Sequence, residues 1–566
     1  MDFSRLRDAA AGLLLAWARK AAPHYGPSGS MDLDLRDTDD AQGPSYYNQF
    51  AHYAFLLLAE GVVPGATPDE RRRFRAIAVA NIRYILSLTD ADFHTPHYSR
   101  GRDWGRHIGE WLNYYLLDSL QLMQRFDVAE AELRQQLERS IDGATQRLVA
   151  RFDERFSAAG PAEFPGNHAT WHGLLCQRAG EHFHRPAWVT LAAQFFDRYV
   201  VPTQRRNGAW PEGEGIVVNY AMVTAQAVSL FAEATADAQT LSCMGRCLSF
   251  FQFFSLPDGS SAVVADGRMR YHRLPMVFLP PSFLRSTPGR QLCLQRIEGY
   301  RAQLAQMELV DNAAQGLAFF ASFCAALMAW PATTRGESAT PVVEDVADEM
   351  PVARVQSRTW HGFLSWQLTP EHSSRFILDT QNYVELWHAD SGYLVGTGNS
   401  KYMPRFSTIR RVDGGRAYLP DQASCQQRTP TRATTAYQFG ADCVILQMDL
   451  EQDICRISGR LENHATGGVY EAGLLLALRP EESVYFTIDE EPTTVAPKTM
   501  VERRFTDAGA AFVWRGRTFE VPAGATLSYP LIPHNPYTQH GLPTADAYVG
   551  RLSWLLAAST TTVTIR

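Results

Sequence analysis

Two polar and aromatic segments stand directly ahead of helical hydrophobic runs. Their side chains are of the kinds used in proton transfer and hydrogen bonding on a cleft wall. The first is Phe164-Pro165-Gly166-Asn167-His168-Ala169-Thr170-Trp171-His172. The second runs from Asn207-Gly208-Ala209-Trp210 through Pro211-Glu212-Gly213-Glu214-Gly215 to Asn219-Tyr220. Asn167 and His168 make a donor pair suited to a cleft wall; the plainer reading is a helix N-cap and a satisfied histidine. His172, four residues on, shares a helix face with His168. That spacing suits zinc, but the intervening Glu of the hydrolytic motif is missing. Glu212 and Glu214 could act as acid and base. Glycosidase carboxylates, however, flank a sugar from opposite sides, and these two are close in sequence. One of them would rather bind sugar hydroxyls or orient a neighbour. Tyr220 falls about one turn into the following helix, where a tyrosine is either core or a proton carrier.

Further binding-capable side chains gather between His94 and Trp104, with Arg102 and Trp104 among them, and on the next helix at His107, Glu110, Trp111, Asn113, Tyr114 and Tyr115. This helix serves equally as a cleft wall or as a solvated helix end. His388-Ala389-Asp390-Ser391-Gly392 ends a strand-like run and is expected to face the helical region. His388, Asp390 and His464 are too dispersed to argue a metal site. Gly396-Thr397-Gly398-Asn399-Ser400-Lys401 lacks the spacing of a phosphate loop, so nucleotide binding is rejected.

The elements that must position these groups change character along the chain. The 566 residues are 45% hydrophobic, enough for a sizeable core, and carry a formal net charge of -7 without a dense basic run. Nucleic acid is therefore not the expected partner, although a local arginine cleft can still attract an acidic ligand. Eight scattered cysteines suggest buried thiols rather than a disulfide framework or zinc module. The run Ala9–Ala18 reads as an amphipathic first helix rather than a signal peptide, and no apolar stretch reaches membrane-spanning length. Helical periodicity predicts helices near 46–60, 68–88, 104–125, 128–156, 167–180, 186–202, 216–237 and 239–254, and a last helical region over 295–330. Ten to twelve helices fit a ring of helix pairs. Residues 331–349 read as a linker, and after it the period becomes alternating, as in Arg375–Asp379, Tyr383–Trp387, Cys443–Met448 and Val484–Ile488. The expected fold class is multidomain α+β: an (α/α) toroid over 1–335, a linker over 336–350 and an antiparallel β-sandwich over 351–566.

Three segments together resemble the heparinase II/III-like group of polysaccharide lyases. Asn167-His168 with the Leu174, Leu175, Gly180 run is similar to that group's Asn-His helix start. Pro211-Glu212-Gly213 before Asn219-Tyr220 resembles its cleft turn and tyrosine helix. His388-Ala389-Asp390-Ser391-Gly392 with Gly398-Asn399-Ser400 resembles its sandwich histidine segment, and Pro257-Asp258-Gly259-Ser260 with Asp266 is in keeping. The resemblance implies a toroid followed by a sandwich, and β-elimination on a uronic acid unit to give a 4,5-unsaturated uronide. Asn167 and His168 would neutralise the substrate carboxylate, Tyr220 or His388 would be the base, and Tyr220 would protonate the leaving oxygen. Tyr46, Arg102, Trp104, Trp210, Glu212, Glu214 and Arg268 would bind substrate. No metal or organic cofactor is required. The chain has Ile216, Val217 and Val218 where the group places its tyrosine, so Tyr46 or Tyr47 could supply the missing hydroxyl.

Two other functions compete. A glycoside hydrolase on the same toroid would use Glu212 or Glu214 with Asp103 or Glu110 across the ring, and a non-catalytic protein would bind glycan only. The expected partner is an acidic oligo- or polysaccharide, on a monomer or homodimer without a membrane span. The expected location is the cytoplasm, with the periplasm or secretion as alternatives.

Overall fold

A computed structural model describes the chain except for residues 1–2, 32–49, 100–101, 157–164, 213–216, 265, 267–275, 306, 308–312, 332–349, 369–381, 397–402, 487–492, 508, 536–539 and 544. The expected positions Tyr46, Tyr47, Glu214 and Arg268, the strand over 375–379 and the linker over 336–349 lie outside the described residues, as does the Arg102 side chain. The chain divides into two compact units. The first is built from Met1–Glu214, Asn219–Gln252 and Leu274–Val343, the second from Gly215–Val218, Phe253–Arg273 and Glu344–Arg566.

The first unit is helical. Its described residues form α1 (Phe3–Ala21), α2 (His52–Ala59), α3 (Pro68–Leu88), α4 (Glu110–Arg125), α5 (Ala131–Phe156), α6 (Asn167–His182), α7 (Pro186–Phe195), α8 (Val218–Thr235), α9 (Ala238–Phe254), α10 (Thr287–Leu304) and α11 (Ala313–Ala329). No described helix is long and apolar enough to cross a membrane. The signals for α3 are local and strong: Thr67 and Glu70 form a reciprocal capping box, with Pro68 in the first turn. Contacts run from α2 to α4, α4 to α6 and α11 back to α2. The Trp171 indole N–H donates to the Val223 carbonyl, joining α6 to α8, and Gln226 donates to the Phe319 carbonyl, joining α8 to α11. An inner circuit of five helices results. α1 packs against α10 and α11, so the first helix is integral to this unit. The centre of the circuit is aromatic: Trp111, Tyr115 and Trp171 each pack against Phe319 with ring centroids 4.9 to 5.9 Å apart.

Two helix expectations need correction. The helix expected over 104–125 begins at Glu110, because Thr95–Ser99 (β1) and Arg102–His107 (β2) form an antiparallel hairpin. The single region expected over 295–330 comprises α10 and α11, and α10 starts earlier, at Thr287, capped by Ser286.

The described residues of the second unit form antiparallel strands in a nine-stranded and a ten-stranded sheet, matching the expected sandwich. The first strands of the larger sheet are β3 (Val352–Gln356), β4 (Trp360–Ser365), β5 (Val384–His388) and β6 (Gly392–Val395). Both sheets contribute to one buried core that includes Val355, Trp360 and Leu386 from one and Tyr437, Val444 and Leu446 from the other. The turn expected at Pro257–Ser260 is present, closed by a bridge between Ser255 and Ser261. On the outer face of β5, Glu385 accepts from the backbone N–H groups of Val263 and Val264, and Trp387 donates to Asp258.

Candidate active site at the starts of two parallel helices

Glu110 is the first residue of α4 and Asn167 the first of α6. The two helices run the same way side by side, as side-chain pairs at two levels along them show. At the first level, His168 Nδ1 lies 2.5 Å from Glu110 Oε1, and His172 Nε2 lies 3.4 Å from Glu110 Oε2. Farther along, Arg178 donates to Asp118 at 3.0 Å and to Gln121 at 3.1 Å. The expectation that His168 and His172 share a face therefore holds, and one buried carboxylate serves both.

Gly166, with φ of 92°, precedes α6 as its N-cap residue, a backbone region that glycine enters without steric cost. The expected cap role for Asn167 is not what the structure shows. Asn167 is already helical, its side chain makes no cap bond, and its Nδ2 donates to Glu212 Oε2 at 2.9 Å. Glu212 is delivered by a tightly held turn. Arg205 and Ala209 are joined through the backbone, Asn207 accepts from the Ala209 N–H, and Gln204 donates to the carbonyls of Gly208 and Cys243. A Cβ at Gly208 would sit 2.2 Å from the Arg246 carbonyl oxygen, so only glycine lets this turn lie on α9.

The electrostatics follow from the geometry. Burial works to raise the Glu110 pKa, but the His168 and His172 imidazoles outweigh it and hold the carboxyl down at about 2. The start of α4 also favours a negative charge there. For His168, enclosure works to lower the pKa, but the Glu110 carboxylate and its hydrogen bond raise it above the ordinary imidazole value. Charges on Glu212 and Tyr220 act in the same direction. His172 is pushed the other way, chiefly by burial. His168 packs on Trp111 with ring centroids 4.6 Å apart, and its side chain keeps 58% of its surface exposed. The result is an accessible imidazolium backed by a carboxylate and an indole. The β1–β2 hairpin adds His97, whose ring lies 5.5 Å from that of His107. Burial and then the neighbouring His107 lower the His97 pKa to about 4.

The structure thus groups Asn167, His168, Glu212 and Tyr220 in the first unit. It adds Glu110, Trp111, His172 and His97. Reasoning from sequence weighed Glu110 as a hydrolase carboxylate and missed it as the partner of His168, because 58 residues separate them. Trp104 stands on β2 with 41% of its surface exposed. Trp210 is interior instead: it is 1% exposed and its indole N–H donates to the Val200 carbonyl, so it packs as core rather than as a sugar platform. Asp103 accepts from the Gly105 N–H within the hairpin.

His388 belongs to the second unit and is 1% exposed there. Along β5 it shares a face with Val384 and Leu386 of the sandwich core, and its ring packs against core Trp360 at 4.5 Å. Its Nδ1 accepts from the Asp390 N–H, so the neutral ring carries its proton on Nε2, as a donor. His464 Nε2 lies 2.8 Å from the Gly468 carbonyl oxygen, in a separate local bond. Among the described residues, no group of three or more His, Cys, Asp or Glu could hold a metal ion.

No sequence family and no curated protein matches the chain. Solved structures do. A chondroitinase AC lyase aligns over 100% of this chain and 82% of its own at 10% identity, with a TM-score of 0.48. A heparinase III gene product aligns over 98% and 83% at 11% identity, with a TM-score of 0.43. An unsaturated glucuronyl hydrolase from Streptococcus agalactiae aligns over 57% of this chain and 92% of its own at 11% identity, with a TM-score of 0.40. Likeness at this level transfers no residue roles and no substrate.

Proposed function

We propose that the polar starts of α4 and α6 form the active site of a polysaccharide lyase, which cleaves a glycan containing uronic acid by β-elimination. The observation that carries the reading is the exposed His168 imidazole, held on Glu110 beside Asn167 and within electrostatic reach of Tyr220.

The chemistry requires such an arrangement. The C5 proton of a uronate is weakly acidic, and its removal builds negative charge on the adjacent carboxylate. A cation and an N–H donor at that carboxylate stabilise the enediolate as it forms. His168 supplies the cation, and Asn167, 2% exposed and donating to Glu212, holds that carboxylate in the wall beside it. Tyr220 removes the C5 proton as phenolate, the C4–C5 double bond forms and the C4–O4 bond breaks. The resulting phenol returns the proton to O4. A charge on Tyr220 raises the His168 pKa, so phenolate and imidazolium favour one another.

The hydrolase alternative needs a protonated carboxylic acid near the leaving oxygen. Glu110, ionised with a pKa near 2, fits only the base role of such a pair and leaves the acid role to another carboxyl. The test is a screen of uronic-acid glycans for the ultraviolet absorbance of the conjugated C4–C5 alkene. New absorbance supports elimination; cleavage without it supports hydrolysis. Binding without cleavage supports the non-catalytic alternative.

A further inference from the structure

Glu110 lies at the root of the site without facing a substrate, being 7% exposed. Its two oxygens address two imidazoles on one face of α6, His168 and His172. His168 is the second residue of its helix, an end whose dipole disfavours a cation. The imidazolium there therefore depends on a compensating anion. Glu110 supplies it from the first turn of the parallel neighbour, and Trp111, the next residue, supplies the packing face.

We propose that Glu110 is the positioning residue of this site: it holds the His168 ring with Nδ1–H turned inward, leaving Nε2 as the ring atom that meets an anionic ligand. The groups around the pair are His172 on α6, Glu212 and Tyr220 from the following segment and α8, and His97 on β1 with His107 beside it on β2. Arg155 of α5 acts on His172. Among the described residues, Glu110 is the charged group that bonds His168 directly. The proposal rests on the lyase reading only for the identity of the ligand.

Nitrogen-15 histidine spectra of the full chain test it, with the His168 signals assigned by their loss in His168→Asn. Free histidine favours the Nε2–H tautomer; neutral His168 is expected to carry its proton on Nδ1. Glu110→Gln keeps an acceptor but removes the charge, so the His168 midpoint should fall by about one pH unit or more while the tautomer persists. Glu110→Ala should lose both. An Nε2–H tautomer in the wild-type protein, or an unmoved midpoint in Glu110→Gln, overturns the proposal. The wild-type spectrum decides the first point even if a variant fails to fold. The readout is also independent of turnover. A shifted midpoint in a protein that cleaves no uronic-acid glycan retires the lyase reading and keeps the role of Glu110. Cleavage with an unmoved midpoint does the reverse.

Discussion

Asn167 donates from Nδ2 to Oε2 of Glu212 at 2.9 Å, tying the first turn of α6 to a turn 45 residues downstream. The bond fixes which end of the amide is nitrogen, because a carboxylate accepts only from a donor. Asn167→Ala releases Glu212 from the start of α6 beside His168 and should lower kcat/KM about 100-fold through misplacement. Asn167→Asp places a second carboxylate beside Glu212 and should be worse than Ala. Equal losses in the two variants would separate Asn167 from the Glu212 charge. Steady-state kinetics on any cleaved uronic-acid glycan make the comparison.

The pH dependence follows from His168. Its pKa is raised by Glu110 against the lowering effect of enclosure. Activity that needs the imidazolium is present below that raised value and lost as pH rises through it. Glu110, at about 2, stays ionised throughout the working range. In Glu110→Gln the alkaline fall of kcat/KM should move to lower pH. An unmoved alkaline limb would assign it to another group.

Much of the helical unit was legible because its signals are local. The span 68–88 was readable to the residue, since Thr67, Pro68 and Glu70 mark its start and apolar side chains recur at helical spacing behind them. The hairpin at 95–107 was not. Its strands are short and polar, Gly105 bends the second at a φ of 84°, and neither strand shows clean alternation. In the site, Asn167, His168 and Glu212 were readable as polar groups at helix entrances. The Glu110–His168 pair was not, because nothing local in sequence marks a partner on a parallel helix. The face of His388 was not legible for a specific reason: every residue of β5 is buried, so alternation could not tell the core face from the outer one.

Arg178 and Asp118 bond at 3.0 Å deep between α4 and α6, with the Asp118 side chain 8% exposed. Burial raises the Asp118 pKa even with Arg178 beside it. Removing the arginine alone, in Arg178→Met, strands this carboxyl and should cost about 3–5 kcal/mol of stability. The double change Asp118→Asn with Arg178→Met should cost less than that single change. Urea unfolding of the three proteins measures both; a double variant weaker than Arg178→Met would contradict the burial argument.

Trp104 and Trp210 should part company on substitution. Trp104 is exposed on the hairpin, so Trp104→Ala should leave stability within about 0.5 kcal/mol and raise KM. Trp210 is core, so Trp210→Ala should cost about 3–5 kcal/mol. Thermal unfolding alongside kinetics distinguishes them, and a destabilised Trp104→Ala protein would make that residue structural.

The most direct measurement is ultraviolet absorbance during incubation of the full chain with a panel of uronic-acid glycans, with Tyr220→Phe and His168→Ala in parallel. The account expects a new absorbance from the unsaturated uronide with at least one glycan, abolished in Tyr220→Phe and strongly reduced in His168→Ala. Reducing ends released without that absorbance, or full activity in Tyr220→Phe, would contradict it.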